Sequence, residues 1–340
     1  MTKVNSVGKN SNNCSPHYLD TLAHLDHKCV KSHNINIIQT DQSSQKKYQN
    51  RARSKAFTDS YLYGLIDLKS SLQRSYFTTH YCSRAILLDE DKARSTYCKQ
   101  RWCLVCNRVR IAKVINDYYN EISNFNDPYF LTLTIPNVKE NKLKPTITKM
   151  IKDFSNITRR LKRGGDHVRL LRKYECTYNQ KTNEFHPHFH AIVESKKIAE
   201  LYQTHWLNIY DDASIKGQDI RPANENSMVE LCKYFTKIIA KDNDLNLRAL
   251  DTMFISIRNK RTFQAIGIRS ASTKSIDDEF KDMEIESIDH KRKVSEIYVW
   301  EKNQYDWISS SGEVFADYNP TNKDKLILGK KYHSNDIDNV

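Results

Sequence analysis

Three histidines alternate in the stretch NEFHPHFHAIV, residues 183–193, of a chain that has only 12 histidines in 340 residues. Because side chains at i and i+2 lie on the same face of a β-strand, a strand here would present His186, His188 and His190 together, although Pro187 would make its start irregular. Neutral imidazoles on one face can bind a single divalent cation. The spacing therefore predicts a metal site on this strand.

A third ligand is expected from the neighbouring strand. The stretches VRLLRKYECTYN and FHPHFHAIVES are joined by the polar segment NQKTNE, which predicts an antiparallel hairpin. Glu175 on the first strand is the candidate third ligand, with His186 as its competitor, and a carboxylate beside imidazoles favours Mg²⁺ or Mn²⁺. The alternative is a solvent-exposed row of histidines that bind nothing, but the apolar strand beside them argues against it.

A second group of metal-ligand residues lies upstream, in YCSRAILLDEDKARSTYCKQRWCLVC, and ends in the spacing C-x4-C-x2-C. Thiolates in two spaced pairs are typical of a tetrahedral structural zinc site. Its predicted ligands are Cys82, Cys98, Cys103 and Cys106, with His80 as a substitute for Cys82. The alternative is four buried thiols without a metal. The other cysteines, Cys14, Cys29, Cys176 and Cys232, have no ligand spacing.

A tyrosine and a glutamate lie four residues apart in SMVELCKYFTKII. On a helix, Glu230 and Tyr234 would share one face, with Lys233 and Lys237 beside them. A phenol is a weak nucleophile at its ordinary pKa of about 10, but a divalent cation and lysines make its phenolate accessible for attack on a phosphate. Such a pair arises easily by chance among 19 tyrosines, so it indicates chemistry only in combination with the histidine strand.

The pattern of the chain predicts the elements that position these residues. PYFLTLTIPNV is typical of a buried strand, and KPTITKMIKDFSNITRRLKRGG of an amphipathic helix. Helices are expected at about 196–210 and 226–241, on either side of a short strand near DIRPA, and again in LNLRALDTMFISIRNKR. This order of elements predicts an α+β fold with an antiparallel central sheet and flanking helices.

The composition changes along the chain and suggests four parts. Residues 1–55 are rich in Asn, Ser, Gln and Lys and are expected to be a disordered basic and polar tail. Residues 56–110 would hold a helix, expected in FTDSYLYGLIDLKSSLQRS, and the small zinc-binding module, and residues 111–270 the main domain. Residues 271–340 would form an acidic linker and a C-terminal hairpin in SEIYVWEKNQYDWISS.

The charge of the chain indicates a polyanionic partner. Lys and Arg number 54 against 41 Asp and Glu, which gives a net charge of +13, and nucleic acid is the commonest partner of such a protein. The candidate DNA-binding residues are Arg159, Arg160, Lys162, Arg163, Arg169, Arg172 and Lys173 in the run TRRLKRGGDHVRLLRK, and Arg101, Arg108, Lys233 and Lys237 elsewhere. A solvated helix end is an equally simple interpretation of the run.

The sequence contains no apolar run long enough to cross a membrane. Its beginning, MTKVNSVGKNSNNCSPHYLD, has no apolar core of a signal peptide. We therefore expect a cytoplasmic protein without a membrane partner. Its cysteines would then be reduced or metal-bound rather than paired in disulfides.

The segments FLTLT, HPHFH and ELCKYFTK, in this order, resemble the three motifs of rolling-circle plasmid replication initiators. These proteins are HUH endonucleases, named for a histidine–hydrophobic–histidine motif. YCKQRWCLVC is similar to the cysteine-rich stretch of one branch of the family, and KRTFQAIGIRS to the segment after the third motif. The resemblance covers about residues 75–270 and leaves both ends of the chain unexplained.

The resemblance implies an HUH endonuclease-like fold and a role for each motif. His188 and His190 would be metal ligands. Tyr234 would cut one DNA strand at the origin, leaving a 5′-phosphotyrosine and a 3′-OH primer. Glu230 would activate the water that ends the cycle, because the two-tyrosine initiators have Y-x3-Y where this chain has only Tyr234.

The implied partners follow from this chemistry. They are plasmid origin DNA, both double-stranded and single-stranded, and the host replication machinery. Because the chain has no G-x4-G-K-[ST] phosphate loop for ATP, strand unwinding would come from a host helicase. The sequence leaves a homodimer open. The implied cofactors are Mg²⁺ or Mn²⁺ for catalysis and Zn²⁺ for structure.

Two other functions would use some of the same residues. An HUH transposase or relaxase would use the same chemistry, but relaxases place their tyrosine near the N-terminus and transposases of this type often lack the cysteine module. A non-catalytic, zinc-containing DNA-binding regulator would explain the charge and the cysteines. It would leave HPHFH, Glu230 and Tyr234 without a role.

Overall fold

The structure, a computed structural model, describes residues 42–89, 92–232, 246–277, 280 and 296–329. All described residues belong to one compact unit, residues 41–340. Within these ranges, no helix has both the length and the apolar character needed to cross a membrane.

The central feature is a five-stranded antiparallel sheet with the strand order β6-β3-β5-β4-β7. Its strands are β3 (Tyr129–Thr134), β4 (Leu170–Asn179), β5 (Glu184–Val193), β6 (Asp219–Pro222) and β7 (Phe263–Ile266). The predicted hairpin is confirmed, since β4 and β5 pair over their whole length. β5 is continuous through Pro187, because β3 ends at Thr134 opposite His188 and leaves the proline beyond the paired part of that edge.

Alternation along β5 separates two chemically different faces. Phe185, Phe189 and Ala191 point into the main hydrophobic core, whereas the histidines point to the other face, which we call the histidine face. The core face is covered by α4 (Glu140–Arg163) and α5 (Lys196–Ile209). The apolar stripe of α4 has helical spacing and consists of Leu143, Ile147, Met150, Phe154, Ile157 and Leu161.

The histidine face is partly covered by α6 (Glu225–Cys232), which packs on β5 and on α3 (Leu104–Ser123). By register, Phe130 and Leu171 share this face with Ile192, and all three are buried. α7 (Leu247–Ile257) lies on the core side against α4. The predicted α+β fold, with helices flanking an antiparallel sheet, is confirmed.

A second, four-stranded sheet joins two distant parts of the chain. It has the order β2-β1-β8-β9, with β1 (Ala85–Asp89), β2 (Lys92–Ser95), β8 (Glu296–Glu301) and β9 (Asp306–Ser309), and α8 (Asn322–Leu328) follows it. Ile86 of β1 pairs with Tyr298 of β8, and both are fully buried. The hairpin expected within residues 271–340 therefore shares a sheet with the cysteine segment rather than forming a separate part.

The N-terminal helices differ from the prediction in two ways. α1 (Gln42–Asp67) begins at Gln42, so residues 42–55 are helical where the composition predicted disorder. Ala52 belongs to the core of the second sheet and Leu62 to the main core, and this burial outweighs the weak helical signal of the sequence. The single helix expected over residues 57–75 is broken after Asp67, where Lys69 has a φ of 51°, and α2 (Gln73–His80) follows.

Candidate active site

The structure brings Glu175, His188 and His190 together on the histidine face. His188 lies opposite Glu175 in the pairing of β4 with β5, and His190 follows on the same face. One potential ligand atom of each side chain lies within 4.8 Å of the other two. His186 is not part of this group, and its ring stacks on that of His188 at 5.1 Å between centroids. Three ligands from two adjacent strands can hold one divalent cation.

Hydrogen bonds fix the ring nitrogen that each histidine offers. Nδ1 of His188 lies 3.0 Å from the backbone oxygen of His186, and because a carbonyl only accepts, this nitrogen carries the proton. Nδ1 of His190 lies 3.0 Å from Oγ1 of Thr132 on β3. Nε2 is therefore the candidate ligand atom of both rings, and Nε2 of His190 lies 3.7 Å from Oε2 of Glu175.

Burial controls the charge of the imidazoles. Desolvation lowers the pKa of His188, against an opposing effect of the Glu175 carboxylate. Burial also lowers the pKa of His186. A lowered pKa keeps an imidazole neutral near neutral pH, and the neutral form is the one that coordinates a metal.

A buried lysine holds the carboxylate of this group. Lys173 lies two residues before Glu175 on β4, opposite His190, and its side chain is only 1% exposed. Its Nζ lies 3.2 Å from Oε2 of Glu175. A lysine is rarely buried without an ionic partner, and here the ion pair orients the carboxylate that faces the histidines.

Glu230 lies beside the histidine face. Phe130 contacts His190 at 5.4 Å between ring centroids, and Cζ of Arg221 lies 4.4 Å from the centroid of Phe130. Arg221 on β6 donates over 2.8 Å to Oε2 of Glu230 on α6 and also pairs with Asp219. This series of contacts connects the Glu230 carboxylate to His190 through Arg221 and Phe130.

The rest of the predicted tyrosine helix lies outside the described residues. This applies to Tyr234 and to the two lysines beside it, Lys233 and Lys237. The described part of α6 extends to Cys232, a buried residue two positions before Tyr234 in the sequence. The described part of the helix therefore positions Glu230, and the role of Tyr234 stays a prediction.

The four predicted zinc ligands converge in a separate cluster. Sγ of Cys82 lies 3.5 Å from Sγ of Cys106 and 3.5 Å from Sγ of Cys103, and Sγ of Cys98 lies 3.7 Å from that of Cys106. A tetrahedron with Zn–S bonds of about 2.3 Å has edges of about 3.8 Å, whereas a disulfide would need about 2.05 Å. The cluster therefore fits four-coordinate metal binding. His80 lies outside it, with Nε2 3.3 Å from an Arg84 nitrogen.

The surroundings of the cysteine cluster also fit a bound cation. The backbone N–H of Cys98 donates to Sγ of Cys82 over 3.4 Å. Burial raises the pKa of Cys103 and of Cys106, so these thiols stay protonated unless a cation draws off the proton. The fully buried ring of Phe280 packs against the cluster.

The predicted DNA-binding residues do not form one surface on the histidine face. Arg159, Arg160, Lys162 and Arg163 are exposed, but they lie at the end of α4, on the core side of the sheet. The prediction is wrong for the end of the basic run. Arg172 is fully buried and donates to Oε1 of Gln264 over 3.1 and 2.6 Å, and Lys173 is buried against Glu175.

The other basic candidates differ in their surroundings. Arg169 pairs with Glu121 at 2.8 Å. Arg101 donates to the backbone oxygen of Lys260. Arg108 on α3 is exposed. Of these three, Arg108 is the one best placed to meet a phosphate.

Three residues complete the site beyond those predicted for it: Thr132, Lys173 and Arg221. A signal for Lys173 exists in the sequence, because period-two alternation places it on the same face as Glu175. Arg221 gives no such signal, since a four-residue strand does not reveal its pairing partner.

Comparison with known proteins supports a role in replication. A family model described as replication protein matches residues 91–311. A protein from Staphylococcus aureus named Protein rep is 28% identical over 162 residues, which are 42% of this chain and 71% of that protein. A Protein rep from Bacillus sp is 31% identical over 128 residues, 34% of this chain and 41% of that protein.

A third relative, Protein rep from Streptococcus pneumoniae serotype 2, is 27% identical over 192 residues, 48% of this chain and 58% of that protein. The chain thus spans less than two thirds of the Bacillus and Streptococcus relatives. No solved structure gives a significant match. The family match includes Glu175, His188, His190 and Glu230, but not Cys82.

Proposed function

Because the chain belongs to the replication protein family, we propose that it initiates rolling-circle replication of a plasmid by nicking one strand at the origin. The observation that carries this proposal is the convergence of Glu175, His188 and His190 on one sheet face. Two histidines at alternate positions on one strand are the ligands expected of an HUH endonuclease, and Glu175 on the next strand is our own candidate for the third ligand. We assign the protein to that class, with a single catalytic tyrosine.

Glu175, His188 and His190 would hold Mg²⁺ or Mn²⁺. When bound, the cation polarises the scissile phosphate and lowers the barrier to nucleophilic attack. The chain prepares the site for this role, since burial keeps His188 neutral and Lys173 fixes the Glu175 carboxylate. Both histidine rings are oriented by bonds to Nδ1, so little reorganisation is needed when substrate arrives.

Tyr234 would be the nucleophile. Its phenolic oxygen forms a bond to phosphorus while the bond from phosphorus to the 3′ oxygen breaks, and that oxygen takes up a proton to become the 3′-OH primer. The products are a 5′-phosphotyrosine and a primer end, and the bond energy is conserved, so ATP is not needed. Lys233 and Lys237 would favour the phenolate and contact the neighbouring phosphates.

Glu230 would end the cycle by acting as a general base. It accepts a proton from a water molecule, whose oxygen bonds to phosphorus as the tyrosine oxygen leaves and is reprotonated. Arg221 supports this role, because its bond to Oε2 holds the carboxylate in place beside the histidine face. Hydrolysis of this kind suits a protein with only one catalytic tyrosine.

The cysteine cluster would hold a structural Zn²⁺. Its four sulfurs are buried and leave no position for a substrate, as in zinc sites that stabilise a fold. In the cytoplasm, the protein would act on double-stranded and single-stranded origin DNA and hand the primer to a host helicase and the replication machinery.

The test is nicking of a supercoiled plasmid that carries its own origin, with Mn²⁺ or Mg²⁺ added. We expect the wild type to relax the plasmid and remain attached to a 5′ end. Tyr234→Phe and His188→Ala should abolish both results, and Tyr305→Phe should act like the wild type. Covalent adducts formed by Tyr234→Phe would refute the assigned nucleophile, and a gel shift without nicking would favour the non-catalytic regulator.

A further inference from the structure

The exposed aromatic side chains of the described ranges all lie in one short stretch, from α1 to the end of α2. Tyr63 is 43% exposed, Phe77 48% and Tyr81 57%, and the other large hydrophobic side chains with comparable exposure are aliphatic. Aromatic side chains gain much free energy from burial. Three of them left in solvent so close together indicate a binding surface.

These rings form a continuous surface. Phe77 and Tyr81 lie one helical turn apart, and Tyr81, the residue after α2, keeps helical angles of φ −82° and ψ −4°, so the two side chains share a face. The His80 ring connects the two helices, with its centroid 5.4 Å from that of Tyr63 and 5.0 Å from that of Tyr81. We call Tyr63, Phe77, His80 and Tyr81 the aromatic surface.

Two exposed cations flank the aromatic surface. Nζ of Lys302 lies 4.5 Å from the ring centroid of Tyr63, and Cζ of Arg84 lies 5.8 Å from that of Tyr81. Lys302 belongs to the turn between β8 and β9, so the fold itself brings it to Tyr63. Cations beside exposed rings are the combination with which proteins contact phosphates while bases stack.

We propose that the aromatic surface binds single-stranded DNA. Unpaired bases stack on Tyr63, Phe77 and Tyr81, and Arg84 and Lys302 turn from the rings to the phosphates between those bases. A duplex keeps its bases paired and cannot offer their faces, so the surface selects single strands. The inference rests on the proposed function in one respect: nicking at an origin is what supplies a displaced, unpaired strand.

The test measures binding without cleavage, by fluorescence anisotropy of the full chain with no Mg²⁺ or Mn²⁺ added. The probes are a labelled oligothymidine of about 16 nucleotides, the upper end of single-strand site sizes, and a duplex of the same length. The test variant combines Tyr63→Ala, Phe77→Ala and Tyr81→Ala. The matched control, Ile297→Ala with Val299→Ala and Leu326→Ala, removes three exposed aliphatic side chains elsewhere.

We expect each aromatic residue removed to weaken single-strand binding about fivefold or more. Duplex binding should stay within about twofold, because phosphate contacts dominate it. Tyr63→Phe with Tyr81→Phe should keep the wild-type affinity, because the rings remain. If the triple variant is destabilised, Tyr81→Ala alone gives the answer, since Tyr81 is the most exposed of the three.

Unchanged single-strand affinity would overturn the proposal. So would an equal loss for single strands and duplex, or an equal loss in the aliphatic control. Crosslinking supplies an independent readout: an oligonucleotide with photoreactive uracils should attach to Tyr63 or Tyr81 and not to Tyr305. Failure of the proposed nicking activity would leave these measurements interpretable, because none of them requires cleavage.

Discussion

The two candidate metal sites differ in how completely the fold encloses them. The cysteine cluster offers four ligands, and all of them are buried. The Glu175 group offers three ligands, and the side chains of His190 and Glu175 are 16% and 11% exposed. Structural sites fill the coordination sphere with protein, whereas catalytic sites leave a position open for water or substrate. The difference supports our proposal that the first site contributes stability and the second carries the chemistry.

The elements that build the two sites differ in the same direction. Glu175, His188 and His190 lie on paired strands at the centre of a sheet, so their backbone is fixed whether or not a cation is present. The cysteines come from the segments around β1 and β2 and from the start of α3. Those segments are separate in the chain, and a cation bound by all four cysteines would tie them together. Removing a ligand should therefore damage the fold in one case and the activity in the other.

The largest effect is expected at the cysteine cluster. Cys103→Ser removes a fully buried ligand and leaves three thiols around a weakened or lost cation. We expect the free energy of unfolding to fall by about 3–5 kcal/mol, the range for breaking a buried charged pair. Zinc content should fall in parallel. Thermal unfolding and metal analysis of the purified chain measure both.

The matched control for this prediction is Cys176→Ala. Cys176 is buried in the main core and lies outside the cluster, so its loss should cost only about 1 kcal/mol of side-chain burial. An equal loss of stability in both variants would show that the cluster contributes no more than ordinary packing. The proposal that the cysteine cluster stabilises the fold would then be wrong.

The second largest effect is expected at the group of Glu175, His188 and His190, which we call the open site. His188→Ala should reduce nicking at least about 10²-fold, the loss seen when one group that stabilises a transition state is removed, and should keep most of the stability. His167→Ala, with 79% of its side chain exposed, is the control and should nick normally. A His188→Ala protein that is inactive only because it unfolds would erase the distinction between the sites.

The parts of the molecule that could be predicted from sequence are those that depend on local spacing. The alternation of His188 and His190 identifies their shared face, and the short turn after Asn179 fixes the register that brings Glu175 opposite His188. The spacing of Cys98, Cys103 and Cys106 identifies them as one group for the same reason. In each case the geometry is set within one or two neighbouring elements.

The parts that could not be predicted depend on contacts between distant segments. The pairing of Ile86 with Tyr298 has no signature in either strand, because a short strand does not reveal its pairing partner in its own sequence. Arg172 differs from this pairing, because the local alternation of β4 that places Glu175 on the histidine face also turns Arg172 into the core. There it lies over the ring of Phe189, with Cζ 4.7 Å from the centroid.

A smaller effect is expected from Lys173→Met. This variant tests whether Lys173 orients the Glu175 carboxylate of the open site. The substitution leaves Glu175 without the partner that orients it. We expect the concentration of Mn²⁺ needed for half-maximal nicking to rise about 10-fold. This is the lower end of the affinity loss caused by removing a group that supports a metal ligand. Activity at saturating Mn²⁺ should largely recover.

Two variants separate this positioning role from general loss of packing. Lys173→Arg keeps the charge and should restore much of the Mn²⁺ dependence. Lys149→Met removes a lysine from the exposed pair with Asp153 and should change nothing. If Lys173→Met instead lowers activity equally at every Mn²⁺ concentration, Lys173 acts on something other than the Glu175 carboxylate.

The smallest effect is a pH dependence that arises from the burial of His188. Because burial lowers the pKa of its imidazole in the folded protein, the unfolded chain binds more protons once the pH falls below the unfolded pKa of about 6.5. The stability that neutral His188 contributes is therefore complete above that pH and decreases below it, by at most about 1.4 kcal/mol per pH unit.

Urea unfolding of the wild type and of His188→Gln, between about pH 7.5 and pH 5.5, measures this contribution as a difference. The difference should shrink with acidification, whereas the same comparison with His167→Gln should not change, because the His167 side chain is 79% exposed and loses little solvent contact on folding. Protonation of the cysteine cluster affects all three proteins alike and cancels. A difference that stays constant with pH would mean that burial does not keep His188 neutral. The number of ligands would then be the remaining difference between the cysteine cluster and the open site.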